Sequence, residues 1–293
     1  MGFANAGEFA NADELGQCWI TQFRKTIASA ATTTGGWIDY SYAPGSPPAN
    51  FYASTPYAAA LVEADKGIRI PAVTPKTQHM KALTLMTANT ASTTNSRQRA
   101  ILCDYLLYYP FIDTDAIGEE QLMDNTVTIP RYTGGKVIAV SQSASSTIGT
   151  FTFTYTNQDG VSGRVSQPHS TFVVSGGGQV VSADGVGASY NPYLSLQNGD
   201  VAVKSIESCT FTGAGGGLMA LVIVKPLFNS YITQECRTTG GVVFGAADEF
   251  LTMIHHANIP TFKDGAVLNV IAQGTQGSLA SSQLVGTLET VWN

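Results

Sequence analysis

Thr150 to Ser166, TFTFTYTNQDGVSGRVS, is the stretch that most narrows what this chain can become. Phe151, Phe153 and Tyr155 fall on one face at the strand period of two, and Thr152, Thr154 and Thr156 fall on the other. Asp159-Gly160 supplies the turn between two short extended runs, so the segment reads as a β-hairpin. It contains nothing that could do chemistry.

The same texture continues along the chain. Met80–Thr87, Arg99–Tyr109, Lys136–Ser141, Thr150–Thr156, Gly163–Ser166, Gln179–Ala183, Val201–Phe211, Leu218–Val224, Val267–Ala272 and Leu284–Trp292 are short, rich in β-branched or aromatic residues, and bounded by Gly, Pro, Asn or Ser. This predicts a mainly β protein with an antiparallel β-sandwich or jelly-roll-like core. Leu218–Val224 is apolar on both faces and should be a central strand. Parallel βαβ winding is disfavoured, because the helices it needs are missing.

Before residue 76 the character differs. Phe3-Ala-Asn-Ala6 recurs as Phe9-Ala-Asn-Ala12, a local duplication. Asn11 can cap a helix with Glu14 in the third helical position, and Leu15, Trp19, Phe23 and Ile27 recur every fourth residue as one apolar stripe. Thr32 to Pro56, TTTGGWIDYSYAPGSPPANFYASTP, carries Pro44, Pro47, Pro48 and Pro56, which enforce extended backbone and remove ladder donors. Trp37, Tyr40, Tyr42, Phe51 and Tyr52 ride on that backbone and must be buried against something. The expected organisation is an N-terminal helix and extended arm over residues 1–75, laid either on a neighbouring subunit or, as a long ordered loop, on its own domain, followed by a β-sandwich domain over residues 76–293.

Charged residues make up 12% of the chain, about half of the roughly 25% usual in soluble domains. Uncharged polar surface is cheaper to desolvate than Lys or Glu, so this composition suits permanent contact with neighbours. Net charge is −6, and the 15 Lys and Arg residues are scattered, with no basic stripe to neutralise phosphates. No nucleic-acid partner is expected. The first basic residue is Arg24, so the N-terminus lacks the positive region of a secretory signal. The longest apolar run, Leu218–Val224, is far short of the roughly 20 residues that span a bilayer. The expectation is a soluble chain made in the cytoplasm, without a membrane partner. Cys18, Cys103, Cys209 and Cys236 have no metal-ligand spacing and read as free, mostly buried thiols.

The nearest approach to a metal site runs from Asp113 to Asp124. Asp113, Asp115, Gly118 and Asp124 fall on the first, third, sixth and twelfth positions of a calcium loop, but Ile117 occupies a ligand position and Asp124 replaces the bidentate glutamate. The preferred reading is an acidic turn leading to a short helix near Glu119–Met123. His255 and His256 would face opposite sides of a strand, and His79 and His169 lack local partners. Gly160-Val-Ser162-Gly163-Arg164 misses a nucleophile elbow by one place, and the clusters Gly176–Gly178 and Gly213–Gly217 lack the Lys-Ser or Lys-Thr of a phosphate loop and read as turns. No catalytic, cofactor-binding or metal-ligating set emerges. The chain reads as a non-enzyme without cofactor; a hydrolase with carboxylates gathered from distant strands is the weakest reading.

The FANADELG segment, the GGWIDYSYAPGSPPANFYA arm, the YTNQDG hairpin at residues 155 to 160 and the low-charge Ala/Thr/Gly-rich β body together resemble virion structural proteins of tailed bacteriophages. The likeness is to capsid-associated cement or decoration proteins of the minor-capsid type, built on a β-sandwich. The resemblance implies a coat component of the virion, assembled in the host cytoplasm, commonly a homotrimer, that bridges neighbouring major capsid subunits. The shell fold of major capsid proteins is disfavoured, since it needs a long spine helix. A second reading is a tail- or fibre-associated sandwich that binds a receptor or glycan, with Tyr190 and Tyr193 lining the site.

Overall fold

The structure is a computed structural model that describes residues 3, 5–26, 35–89, 98–181, 191–232, 237–239, 242–244, 259–274 and 282–293. Along the chain, helix α1 (Ala6–Glu14) is followed by β1 (Cys18–Thr26), β2 (Trp37–Asp39), β3 (Gly45–Ser46), a single 3-10 turn (Ala64–Lys66), β4 (Gln78–Asn89) and β5 (Gln98–Asp113). Next come β6 (Glu120–Leu122), β7 (Lys136–Ser141), β8 (Thr150–Asn157), β9 (Arg164–Val165), β10 (His169–Ser170), β11 (Gln179–Val180) and β12 (Val203–Gly213). The last are β13 (Leu218–Ile232), β14 (Arg237–Thr239), β15 (Val242–Phe244), β16 (Thr261–Phe262), β17 (Leu268–Gly274) and β18 (Ser282–Trp292).

These strands build three layers. A closed barrel in the order β11-β2-β17-β5-β13-β7 lies in the middle. One flanking sheet runs β16-β4-β18-β1-β3, the other β10-β8-β12-β6 with β9 on β8. Three apolar clusters hold the layers together. Trp37, Tyr52, Ile101, Tyr105, Val222 and Ile271 fill the barrel. Phe23, Leu83, Leu102, Val270, Leu284 and Leu288 join the barrel to the first flanking sheet. Tyr109, Phe151, Phe153, Phe211, Leu221 and Ile223 join it to the second. The chain is thus mainly β, antiparallel between its paired strands, with one α-helix, near the N-terminus, among the described residues and a sandwich-like core, as the strand pattern predicts.

Strand β5 shows how one segment serves all three layers. Ile101, Cys103 and Tyr105 point into the barrel while Ala100 and Leu102 meet the first sheet. The register against β13 then slips between the pairs Ile223–Leu107 and Val224–Tyr105. A bulge of one residue reverses which parity faces inward. Tyr108 consequently enters the barrel, and Leu107 and Tyr109 turn to the second sheet. Leu218–Val224 is central, as expected: β13 lies between β5 and β7, and Met219 to Val224 are buried.

The hairpin also forms as read, with Thr154 opposite Val165 and Tyr155 opposite Arg164. Asn157 closes its turn, its Oδ1 accepting from the N–H groups of Asp159 and Val161, and Gly160 takes the positive φ of 83° that the turn requires.

The N-terminal helix lies earlier than its apolar spacing suggests. Asn5, not Asn11, is the cap, accepting from the Glu8 N–H at 3.0 Å. Gly16, at φ 71°, ends the helix: its N–H donates to Asp13 O, and that of Gln17 donates to Ala12 O. Trp19 and Phe23 therefore lie on a strand, β1, which pairs with β18 along its full length. A spacing of four brings residues to one face in a strand as well as in a helix, so the stripe could not separate the two. Gly286 of β18 leaves room for the Phe23 ring opposite it; a Cβ there would stand 2.2 Å from Phe23 Cζ.

A second correction concerns Glu119–Met123, which contains a strand, β6, on the edge of β12 rather than a short helix. Gln121 faces inward and bonds the Asp113 main chain in both directions, while Glu120 and Leu122 stay exposed. The third concerns the aromatic, proline-rich stretch. Trp37, Tyr40 and Tyr52 are laid over a surface, as the composition requires, but that surface belongs to the chain itself, while Phe51 stays 54% exposed. Trp37, Tyr40 and Tyr52 are 1%, 1% and 0% exposed with no neighbour present. Residues before 76 supply β1, β2 and β3 to the same sheets as residues after it. Among the described residues, no helix is long and apolar enough to cross a membrane.

Candidate interaction surface

Buried polar groups are the first place to look for chemistry, and the carboxylates of Asp39 and Asp104 are each met by donors of the fold itself. Asp39, on β2 inside the barrel, accepts from Tyr105 Oη at 2.6 Å, Ser41 N at 2.8 Å, Ser41 Oγ at 2.7 Å and Tyr52 Oη. Burial pushes its carboxyl above the ordinary range, and the bonds from Tyr105, Tyr52 and Ser41 pull it part of the way back. Lys25 of β1 is 2% exposed and points its Nζ at the carbonyls of Ala43, Pro48 and Ser41, at 3.0, 3.2 and 3.4 Å. Burial lowers its ammonium to about 8, against the opposing pull of Asp39. Sequence reading missed both residues, because neither belongs to a motif; a lone Lys on the apolar parity of Phe23 was the available signal. The pair ties the 39–48 segment to barrel and sheet.

Asp104 forms a second closed cluster. It accepts a fork from Arg131, Nη2 to Oδ1 at 2.7 Å and Nε to Oδ2 at 3.1 Å, and a further bond from Val267 N at 2.9 Å.

The Asp113–Asp124 loop does not converge on a cation. Asp113 Oδ1 accepts from Asp115 N, Asp115 Oδ1 from Gly216 N, and Asp124 Oδ1 from Thr126 N. Each carboxylate fastens a different turn, and the described residues contain no cluster of three or more acidic, His or Cys side chains placed to hold an ion. His169 stacks among Phe151 and Phe153, and His79 meets Phe3. Cys18, Cys103 and Cys209 are free thiols, and burial raises the latter two. Cys236, His255, His256 and Tyr190 lie outside the described residues. Tyr193 is half-buried and packs its ring against the barrel-interior cluster. The glycine clusters are turns before β11 and β13, as read. Gly177 lets the Tyr42 ring approach, its hypothetical Cβ falling 2.5 Å from that hydroxyl.

Asp200 anchors the hairpin. Its carboxylate accepts from Arg164 Nε at 2.8 Å, Tyr155 Oη at 2.6 Å and Asn157 Nδ2 at 2.8 Å. These bonds, that of Arg164 first, hold its carboxyl down to about 2. A carboxyl with a folded pKa below its unfolded value of roughly 3.9 stabilises fully above that value and loses the contribution as pH falls through the folded one. Asp200→Asn should therefore flatten the slope of stability between about pH 4 and pH 2, read as urea midpoints across that range. An unchanged slope would show that another group sets it.

What remains exposed and organised is the outer face of the second flanking sheet. The inward parity of β8 and β12 carries Phe151, Phe153, Tyr155 and Phe211. The outward parity pairs Thr152 with Thr210 and Thr154 with Ser208, and the Thr150 and Thr212 hydroxyls bond each other at 2.7 Å. One row runs across four strands as Leu122, Ser208, Thr154 and Val165, in which Ser208 is covered to 2% exposure and Thr154 is half-buried. Its two ends are exposed apolar residues, Leu122 at 69% and Val165 at 48%. Charge is confined to the margins, where Glu120 faces Thr210 and Glu207 is held by Thr156 Oγ1 and Gly163 N. Such a face offers hydroxyls and methyls that desolvate at small cost beside the carboxylates of Glu120 and Glu207. Comparison with protein families, curated proteins and solved structures finds no match to this chain.

Proposed function

We propose that this chain is a structural virion protein of the capsid-associated cement or decoration type, stabilising a phage capsid by bridging neighbouring major capsid subunits. One observation carries the reading: the hydroxyl-rich, nearly charge-free outer face of the β8–β12 sheet, framed by exposed Leu122 and Val165. A coat component acts by adhesion, and repetition around a shell makes individually modest contacts collectively strong. The saturated bonding of Asp39 and Asp104 suits the same role, since their side chains support the fold and offer nothing to a substrate.

Capsid particles lacking the protein supply the test. The purified chain should cosediment with them and raise their resistance to heat, and Thr154→Lys or Leu122→Glu should lower occupancy at least tenfold while leaving the circular dichroism spectrum unchanged. No cosedimentation by the unaltered chain would overturn the function, and full occupancy by both variants would overturn the surface.

A further inference from the structure

Asn198-Gly199 is the one Asn-Gly pair in the chain, and the structure sets it on a turn ahead of β12. Asp200 N donates to Gln197 O at 3.0 Å across the turn, and Gly199 takes a φ of 92°, which glycine adopts without strain. Both residues are exposed. Among the described residues, neither the Asn198 side-chain amide nor the Gly199 N–H meets a hydrogen-bond partner. Beyond its chain neighbours, no atom stands within 4 Å of the place that a Gly199 Cβ would take, so water reaches the pair freely.

The two ends of this turn are held by one side chain. Gln197 N–H donates to Tyr155 Oη at 3.0 Å, and the same hydroxyl donates to Asp200 Oδ2 at 2.6 Å. Asp200 in turn holds Arg164 of β9 and Asn157 at the end of β8. The length of chain between residues 197 and 200 is therefore part of what keeps the hairpin together. The Asp-Gly pairs at 159 and 264 lack the freedom of this one. Gly160 N–H is taken by Asn157 O, and the Asp264 carboxylate accepts from Val73 N and Thr74 N.

We infer that Asn198 is a self-modifying site, at which the chain converts an asparagine to isoaspartate and thereby loosens the Asp200 end of the hairpin. Asparagine side-chain amides are thermolabile in water, and glycine puts no side chain in the way of attack by its own nitrogen. The Gly199 main-chain nitrogen gives up its proton and bonds to Asn198 Cγ. The bond from Cγ to the side-chain nitrogen breaks, and ammonia leaves with that proton. One water then opens the cyclic imide. Opening at Cγ leaves aspartate in an ordinary main chain, and opening at the main-chain carbonyl leaves isoaspartate, whose chain runs through Cγ. The balance is one water consumed and one ammonia released. Isoaspartate adds one carbon, roughly 1.5 Å of chain, between the two points that Tyr155 holds, so both bonds to that hydroxyl cannot persist. The step needs no partner and stands with or without a capsid.

Ageing the full chain in warm, mildly alkaline buffer, folded and in parallel unfolded in urea, decides it. In the folded protein, the peptide containing Asn198 should gain about one mass unit at a rate within tenfold of the unfolded chain. It should do so at least tenfold faster than any other asparagine, with isoaspartate detected by enzymatic methylation. Amide exchange over the 154–165 hairpin should rise at least fivefold in the aged protein and stay unchanged in Asn198→Ser aged beside it. Should the serine variant misfold, freshly purified unaltered chain is the reference. Folded protein that keeps Asn198 while the unfolded chain converts would overturn the site. Complete conversion to isoaspartate with unaltered hairpin exchange would overturn the loosening.

Discussion

Asp39→Ala is expected to destabilise the protein by at least about 3 kcal/mol, since each buried donor left without an acceptor costs about 1–3 kcal/mol. The hydroxyls of Tyr105, Tyr52 and Ser41 and the N–H of Ser41 all converge on this one carboxylate, which is 0% exposed. Ser41 Oγ and Tyr52 Oη lie 2.7 Å apart and can satisfy each other in part, which leaves Tyr105 Oη and Ser41 N as the groups that lose most. Tyr105→Phe, which removes one donor and leaves the acceptor with three, should cost only about 1 kcal/mol. Chemical denaturation of the two variants measures the contrast. Equal losses would mean that packing of the barrel interior, rather than the polar cluster, holds β2 in place.

The second large effect is at Arg131. Arg131→Met leaves Asp104 buried opposite a methyl group, and breaking a buried pair from one side costs about 3–5 kcal/mol. Asp104 is 0% exposed and also accepts from Val267 N. Replacing both partners, Asp104→Leu with Arg131→Met, should recover most of that loss, because well-packed apolar pairs match or exceed buried ion pairs. Urea midpoints of the two single variants and the double variant form the cycle. A double variant as unstable as Arg131→Met alone would show that the fork between loop and barrel adds specific stability beyond charge compensation.

Both residues were invisible in the sequence as anything but isolated charges. Ser41 is local to Asp39, but Tyr105 reaches back to β2 and Arg131 to β5, and no local spacing encodes those two pairs. The hairpin is the opposite case. Thr150–Asn157 alternates strictly, its turn residues follow at once, and its partner strand lies within the same stretch, so period and turn chemistry suffice. The same locality made the other short strands legible, down to identical bounds for Lys136–Ser141. The hydroxyl face was half legible. Thr152 and Thr154 were set opposite the aromatic parity by the alternation, but the matching Thr210 and Ser208 come from β12, whose register is set by bulges and long-range packing.

Sequence alone therefore determined the class of structure, the inward and outward parity of the hairpin, the centrality of Leu218–Val224, and the requirement that Trp37, Tyr40 and Tyr52 be covered. These follow from period, hydrophobicity and turn residues, all of which act over a few positions. Tertiary structure alone decided that the covering surface belongs to the chain itself and that β5 changes parity at a bulge to serve three layers. It also decided that Trp19 and Phe23 lie on a strand. A four-residue spacing satisfies helix and strand alike, and only the long ladder with β18, opened by Gly286 to admit the Phe23 ring, selects between them.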